Sequence, residues 1–140
     1  MYGGNPRISK DVISIFIRKA LENEPLIVKG PKKFRDFVHV DDVAQVVLEV
    51  STSGIASKIL MNIGSGMKTS LQELAEIVKT HFPEVEVKEE GAPDDGTGLQ
   101  ADISLAQRIL GFKPMNPEEG INEHVASYAR HKDKQLIELQ

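Results

Sequence analysis

Strand-like and helix-like segments alternate along the whole chain, and this alternation restricts the possible folds more than any other feature. Short runs rich in Val and Ile are typical of strands, and apolar residues that recur every three or four positions are typical of helices. No internal repeat interrupts the pattern. The sequence therefore predicts an α/β fold of the mixed α+β kind, in which short strands alternate with about five helices. The length of 140 residues favours a single domain spanning 1–140.

The expected helices have recognisable starts or stops. The first is apolar on two stripes, so we expect neighbours on more than one side of it. The helices are predicted at 9–25 with Ser9 as N-cap, after Asp41 as N-cap, at 69–82 with a Ser70 and Glu73 capping box, between Asp102 or Ser104 and Gly111, and after Asn116 and Pro117.

Four apolar runs predict the strands: "LIVKG" from Leu26, "FRDFVHV" from Phe34, "KILMNIG" from Lys58 and "EVEVK" from Glu84. "KILMNIG" has little alternation, which indicates a strand covered on both faces. This strand and the first helix are more apolar than a lone domain of this size requires. We therefore expect uncovered apolar surface and self-association, most simply as a homodimer.

Composition excludes several classes of function. The net charge is −4 without a basic block, which argues against a nucleic-acid partner. There is no cysteine, and the four histidines show no metal-ligand spacing, so no metal site is predicted. No apolar run is long enough to span a membrane, and the N-terminal stretch does not resemble a signal peptide. We expect a soluble, cytoplasmic protein without a membrane partner.

The stretch "FRDFVHV" concentrates charge between apolar residues. On a strand, Arg35, Phe37 and His39 share one face. A guanidinium beside an aromatic ring can hold a phosphate and a planar base. The alternative is that Arg35 pairs with a nearby carboxylate and has no ligand.

Two short motifs have weaker functional interpretations. Gly64 and Gly66 lie between a strand and a helix, where a glycine loop can bind phosphate. However, Thr69 replaces the third glycine of the dinucleotide fingerprint, so a tight turn is favoured. Tyr128 and Lys132 match the Tyr-x-x-x-Lys pair of hydride-transfer enzymes, but Tyr128 also falls on an apolar stripe of the last helix. That match is interpreted as accidental.

An ordered set of phrases resembles the C-terminal half of the NAD-dependent nucleotide-sugar epimerases and dehydratases. This is the extended short-chain dehydrogenase/reductase family, of which UDP-glucose 4-epimerase is a familiar member. The phrases are "YG" at Tyr2, "PLIVKG" at Pro25, "RDFVHVDDVA" at Arg35, "NIGSG" at Asn62, "TSLQELAEIV" at Thr69, "ADIS" at Ala101 and "LGFKP" at Leu110. The resemblance covers nearly the whole chain.

The resemblance implies a substrate-binding role for particular residues. Arg35 would contact the diphosphate of a nucleotide-sugar, and Phe37 would lie in the same pocket. Backbone groups of Ile27 and Lys29 would contact the base, and Asp95 would bind a ribose hydroxyl. A second phosphate-binding arginine is usual in the family, but Ala92 stands at its position here, which implies weak diphosphate binding.

The family's other half carries the glycine-rich cofactor fingerprint and the catalytic residues, and this chain has neither. We therefore expect a C-terminal substrate-domain fragment with no catalytic residue and no cofactor of its own, whereas the intact family enzyme uses NAD. Its expected partners are a nucleotide-diphosphate sugar, bound weakly, and a separate cofactor-binding half. The alternatives are a stand-alone nucleotide or nucleotide-sugar binding module and a non-catalytic structural remnant.

Overall fold

The computed structural model describes residues 1–4, 9–54, 59–91 and 96–138, with side chains up to Tyr128 and that of Arg130. Five helices and four short strands form the mixed α/β architecture that the sequence predicts. They are α1 (Val12–Leu21), β1 (Leu26–Lys29), β2 (Phe34–Arg35), α2 (Val40–Ser53), β3 (Thr69–Ser70), α3 (Leu71–His81), β4 (Val87–Glu90), α4 (Ser104–Leu110) and α5 (Pro117–Glu138). None of these helices is both long and apolar enough to cross a membrane.

The strands form two small sheets. β1 pairs with β4 in parallel, with Leu26 opposite Val87. β2 pairs with β3 in an antiparallel register that places Arg35 opposite Thr69. A separate parallel bridge joins Tyr2 to His39.

The predicted strand 34–40 is wrong beyond Arg35, because the segment changes partners there. Residues Phe34 and Arg35 pair with β3, whereas the carbonyl of Val38 accepts from the N–H of Tyr2 at 3.0 Å. The N–H of Val40 in turn donates to the Tyr2 carbonyl at 2.7 Å. Phe37 is half-buried and His39 is buried, so the predicted alternation of faces is lost.

The other two differences concern strand positions. Residues 59–64 form no strand, because their contacts are made by side chains and by the following loop rather than by a backbone ladder; Lys58 lies outside the described residues. The predicted strand 84–88 is shifted, since pairing with β1 begins at Val87.

Three predicted helix caps are also wrong. Asp11, not Ser9, caps α1, because its carboxylate accepts from the N–H of Ser14 at 2.9 Å. His39 caps α2 by accepting from the N–H of Asp41, which places Asp41 inside the first turn. At α4 neither Asp102 nor Ser104 occupies the cap position, which is Ile103, without a side-chain cap bond.

The remaining terminal signals are confirmed. Ser70 and Glu73 form the expected capping box at α3. Asn116 and Glu119 exchange side-chain bonds with each other's backbone N–H at 2.9 Å, at the start of α5. Gly111 ends α4 in the left-handed region, with φ of 64°.

Two apolar clusters stabilise the fold. The main cluster buries one face each of α1, β1 and α3, and includes Ile17, Leu26 and Leu74, all with no exposed surface. The second cluster lies between α2 and α4 and includes Val46 and Phe112. Burial at roughly 25 cal/mol per Å² of apolar surface makes such clusters the dominant favourable contribution to folding.

A buried polar network joins α1 to α5. Ser14 Oγ lies 2.6 Å from the Asp11 carboxylate and 2.8 Å from Nε2 of His124. The Tyr128 hydroxyl donates to the Ser14 carbonyl at 3.1 Å. This network gives α1 its predicted second neighbour, and it also explains Tyr128 as a structural residue, in agreement with the accidental interpretation of Tyr-x-x-x-Lys.

The network also sets the protonation of its members. Burial lowers the pKa of His124, although the Asp11 carboxylate acts in the opposite direction. For Asp11, burial would raise the pKa, but hydrogen bonds from Ser14 and Ser9 outweigh it and leave the pKa below its usual value.

We predict that the chain loses stability on mild acidification through His124. The folded-state pKa lies below the unfolded value of 6.5, so the unfolded chain binds a proton first as the pH falls. The contribution is therefore complete above about pH 6.5 and declines below it. Urea unfolding at about pH 7.5 and about pH 5.5 measures this loss, and His124→Gln should reduce it.

His81 provides the matched control. It is exposed and bonds to Asn122 on the surface, so His81→Gln makes the same chemical change outside the buried network. An identical pH dependence in the parent and in His124→Gln would contradict the prediction.

Candidate functional site

The carboxylate of Asp36 connects three segments that are far apart in sequence. Its Oδ1 accepts from the N–H of Ser65 at 2.6 Å and from the Ser65 hydroxyl at 2.8 Å. Its Oδ2 accepts from the N–H of Gly66 at 2.9 Å and from the N–H of Ala101 at 3.1 Å. All four bonds are charge-assisted, the stronger class of hydrogen bond. Asp36 therefore holds the loop 62–66 and the segment 100–102 against the end of β2.

The two glycines of this loop are required for different reasons, Gly64 by the close approach to Asp36 and Gly66 by its backbone conformation. A Cβ at Gly64 would lie 2.7 Å from the Ala101 Cβ and 2.9 Å from the Asp36 carboxylate. Gly66 has φ of 70°, a conformation that side chains disfavour. Successive N–H groups in such a turn form an anion-binding nest, and here the anion is the protein's own carboxylate. This favours the tight-turn interpretation over a phosphate cradle.

Arg35 lies next to this connection, on an open cavity of about 700 Å³. The cavity is lined by Arg35 and Asp36 from the β2 segment, by Asn62 and Gly64 from the loop, and by Ala101 and its neighbours. The guanidinium is exposed and donates to the carbonyl of Phe34 at 2.8 Å. Among the residues that the structure describes, no carboxylate lies within ion-pair distance of it. The alternative of a structural ion pair therefore finds no support in that part of the chain.

The other predicted site residues that the structure describes, Phe37, Ile27 and Lys29, do not line this cavity. Phe37 is half-buried and packs against the main apolar cluster. Ile27 and Lys29 lie on β1, half-buried and exposed respectively. Asp95 lies outside the described residues, as does Ala92. The structure thus brings Arg35 together with loop residues rather than with Phe37, Ile27 or Lys29.

The backbone of β1 presents an open edge. The N–H of Leu26 donates to the carbonyl of Glu86 at 2.8 Å, on the β4 side. In a parallel pair, alternate residues direct both backbone groups to the same neighbour, so Ile27 and Lys29 direct theirs away from β4. The sheet described here contains only β1 and β4. Polar backbone groups at this edge are suitable for pairing with a planar ligand.

Sequence reasoning missed the residues that shape the cavity walls. Asn62 donates to the carbonyl of Asp102 at 3.2 Å, and Gln100 donates to the carbonyl of Gly66 at 2.6 Å. The signals available in the sequence were the carboxylate of Asp36, which lies between Phe34 and Phe37, and the Gly-x-Gly turn further along the chain. Nothing in the local pattern of either segment identifies the other as its partner.

The same loop contributes to two further open cavities. One, of about 850 Å³, lies between α3 and the start of α5 and includes Lys68 and Gln72. The Lys68 ammonium lies 5.0 Å from the centre of the Phe34 ring, a cation–π distance. The other, of about 700 Å³, includes Ser104 and Lys113. Within the described ranges, no group of three or more potential ligand side chains could hold a metal ion.

We predict that Gly64→Ala destabilises the fold by about 1–3 kcal/mol, because the added Cβ must displace either Ala101 or the Asp36 carboxylate. Chemical unfolding measures the loss. Gly4→Ala is the control, since no described atom lies within 4 Å of that Cβ. Its effect should stay within about 0.5 kcal/mol. Equal free energies of unfolding for the two variants would show that the turn accommodates the added Cβ without a loss of stability.

Comparison with known proteins gives consistent matches. A family model described as the NAD dependent epimerase/dehydratase family matches residues 1–64. A dTDP-L-rhamnose 4-epimerase of Burkholderia thailandensis is 33% identical over 128 residues, which is 88% of this chain and 35% of that relative.

Solved structures agree. The UDP-glucose 4-epimerase of Thermotoga maritima, solved with UDP-glucose, aligns with a TM-score of 0.76 and 26% identity, covering 93% of this chain and 43% of that one. The Bordetella bronchiseptica enzyme WbmF, solved with NAD+ and UDP, aligns with a TM-score of 0.76 and 25% identity, covering 94% and 40%. The chain thus spans less than half the length of each of these proteins, and its resemblance to the NAD-dependent epimerase/dehydratase family is confirmed.

Proposed function

We propose that this chain is the nucleotide-sugar-binding portion of a nucleotide-sugar epimerase and that it is inactive alone. In this proposal residues 1–140 form one substrate domain, and the NAD-binding and catalytic groups lie outside these residues. The observation that carries the proposal is the exposed guanidinium of Arg35 on an open cavity, without a carboxylate partner among the described residues. A guanidinium in that state can bind the oxygens of a diphosphate bidentately.

Two further features support the proposal. The open edge of β1 offers the backbone groups of Ile27 and Lys29, the residues expected to contact the base. Two structures with the same fold were solved with UDP-glucose or UDP, which are nucleotide diphosphates. The contributions of Phe37 and Asp95 stay predictions.

The proposed binding role is consistent with the way that enzymes use remote groups. Contacts with a nucleotide lie far from the reacting carbon of a sugar, yet their binding energy can stabilise the transition state by orienting the sugar. The portion that binds the nucleotide therefore needs no catalytic residue. The hydride transfer that NAD supplies belongs, in this proposal, to the other portion.

We predict that UDP binds weakly to this chain and that Arg35→Ala weakens the binding by more than about tenfold, because a charge-assisted contact contributes roughly 1.5–3 kcal/mol. Isothermal titration measures both affinities. Arg108→Ala, an exposed arginine on α4, is the matched control and should bind UDP as the parent does. Equal affinity of the parent and Arg35→Ala would refute the role of Arg35.

The same titration tests the absence of a cofactor site. NAD+ should show no micromolar binding to the chain, because the glycine-rich fingerprint is missing from the sequence. Micromolar binding of NAD+ would contradict the division of roles between the two portions. Micromolar binding of UDP without any partner would instead favour the stand-alone binding module.

Among the described residues, exposed apolar side chains are more numerous on α2 than on α1. The stripes of α1 are largely buried within the chain, whereas Val47 and Leu48 on α2 are each more than 60% exposed. Leu60, in the segment predicted to be a covered strand, is 94% exposed. We propose that α2 and Leu60 contact a partner, which is a second copy when the chain is alone and the cofactor-binding portion in the intact enzyme.

We predict that the isolated chain forms a dimer in a concentration-dependent manner. Leu48→Glu should shift it to monomer, because a charge on the apolar face opposes its burial. Sedimentation velocity over a wide concentration range measures the shift. Gln107→Glu, at an exposed position of α4, is the control for added charge. A parent chain that is monomeric at every concentration would show that α2 does not mediate self-association.

A further inference from the structure

Asp36 is adjacent to the proposed diphosphate contact, and its negative charge is unexpected there. By Coulomb's law alone, a carboxylate next to Arg35 repels a diphosphate and weakens its binding. The four hydrogen bonds that Asp36 accepts from Ser65, Gly66 and Ala101 offset its charge locally. They also indicate what the carboxylate contributes, since every donor lies on a segment that lines the Arg35 cavity or directly adjoins it.

The hydrogen bonds determine where Arg35 lies relative to the facing wall. On one side, Arg35 is fixed by its pairing with Thr69. On the other side, the next residue is Asp36, which binds the loop and the segment that form the opposite wall. A long, exposed arginine loses rotamer freedom when it binds a ligand, so a fixed backbone and a fixed wall reduce the cost of binding.

We propose that Asp36 is a positioning residue for nucleotide-diphosphate binding, which acts through Arg35 by holding residues 62–66 and 100–102 in place. This proposal rests on the proposed function. It has a second consequence, because the carboxylate occupies the N–H groups of Ser65 and Gly66. Those groups would otherwise form a competing anion site, so Asp36 directs the diphosphate to Arg35.

The positioning role and simple electrostatics predict opposite results for Asp36→Asn. Removal of the negative charge alone should tighten UDP binding. Loss of positioning should weaken it, because the new NH2 group cannot accept from a backbone N–H, so at least one of the four bonds is lost. We expect Asp36→Asn to bind UDP about tenfold more weakly than the parent.

UDP affinity is measured by isothermal titration at a temperature well below the thermal unfolding midpoint of each variant. Asp41→Asn is the matched control, because it makes the same chemical change at an exposed carboxylate in the first turn of α2. Its affinity should stay within about twofold of the parent. Asp36→Asn with parental or tighter affinity would overturn the proposal.

A double-mutant cycle with Arg35→Lys distinguishes positioning from a general loss of structure. Lysine keeps the charge but lacks the planar fork, so the substitution should weaken binding in the parent. If Asp36 acts through Arg35, the same substitution should cost clearly less in the Asp36→Asn background. Equal costs in both backgrounds would show that Asp36 acts independently of Arg35, which would overturn the proposal.

Ser65→Ala keeps the test decisive if Asp36→Asn does not fold. It removes one of the four bonds and leaves the three backbone donors in place, so UDP binding should weaken in the same direction but by a smaller factor. Unchanged affinity in that variant would overturn the positioning role. Failure of the parent chain to bind UDP would overturn the proposed function, and the role of Asp36 with it. UDP binding that depends on Arg35 but is unchanged by substitution of Asp36 would overturn only the role of Asp36.

Discussion

The connection made by the Asp36 carboxylate is the constraint on which the rest of the site depends. A half-buried charge is costly unless donors surround it, and four donors from two other segments do so here. Those segments border the second apolar cluster through Ile63, Ala101 and Ile103, while the neighbouring Phe37 packs on the main cluster. One charged residue and one aromatic residue therefore join the two clusters at the point where Arg35 meets solvent.

This arrangement explains why a short strand can hold Arg35 in place. β2 contains only Phe34 and Arg35, and two residues of pairing would not fix an arginine. The chain compensates after the strand, first with the Asp36 bonds and then with the backbone bonds between Tyr2 and the residues on either side of His39. The segment changes its pairing partner at this point, and the side chain of Asp36 contacts the loop there. A longer regular strand would have used the same backbone positions for ladder bonds.

Local signals predicted the helices well and the site poorly, for a physical reason. The capping boxes at Ser70 and Asn116 involve residues three apart, so the sequence contains both partners in one window. The Asp36 bonds reach 29 to 65 residues along the chain, and no local pattern specifies them. Asp41 was a reasonable cap by residue type, but His39 occupies that position because Tyr2 packs edge-on against its ring at 5.2 Å. Tertiary contacts decided between two adjacent candidates.

Exposed apolar side chains occur in both segments that the prediction named, at Leu21 of α1 and at Leu60, but α2 exposes more of them although the prediction did not name it. Periodicity cannot show whether the second stripe of α1 meets solvent, a partner or another part of the same chain; here the buried Ser14 and His124 join it to α5. On α2 the apolar residues extend beyond the buried face, which contains Val46 and Asp42, so Val47 and Leu48 are each more than 60% exposed. Asp42 accepts from the N–H of Met115 at 3.1 Å, so that face of α2 is directed towards the rest of the chain. The opposite, apolar face of α2 is consequently turned outward, where burial against another polypeptide is the physical means of removing it from water.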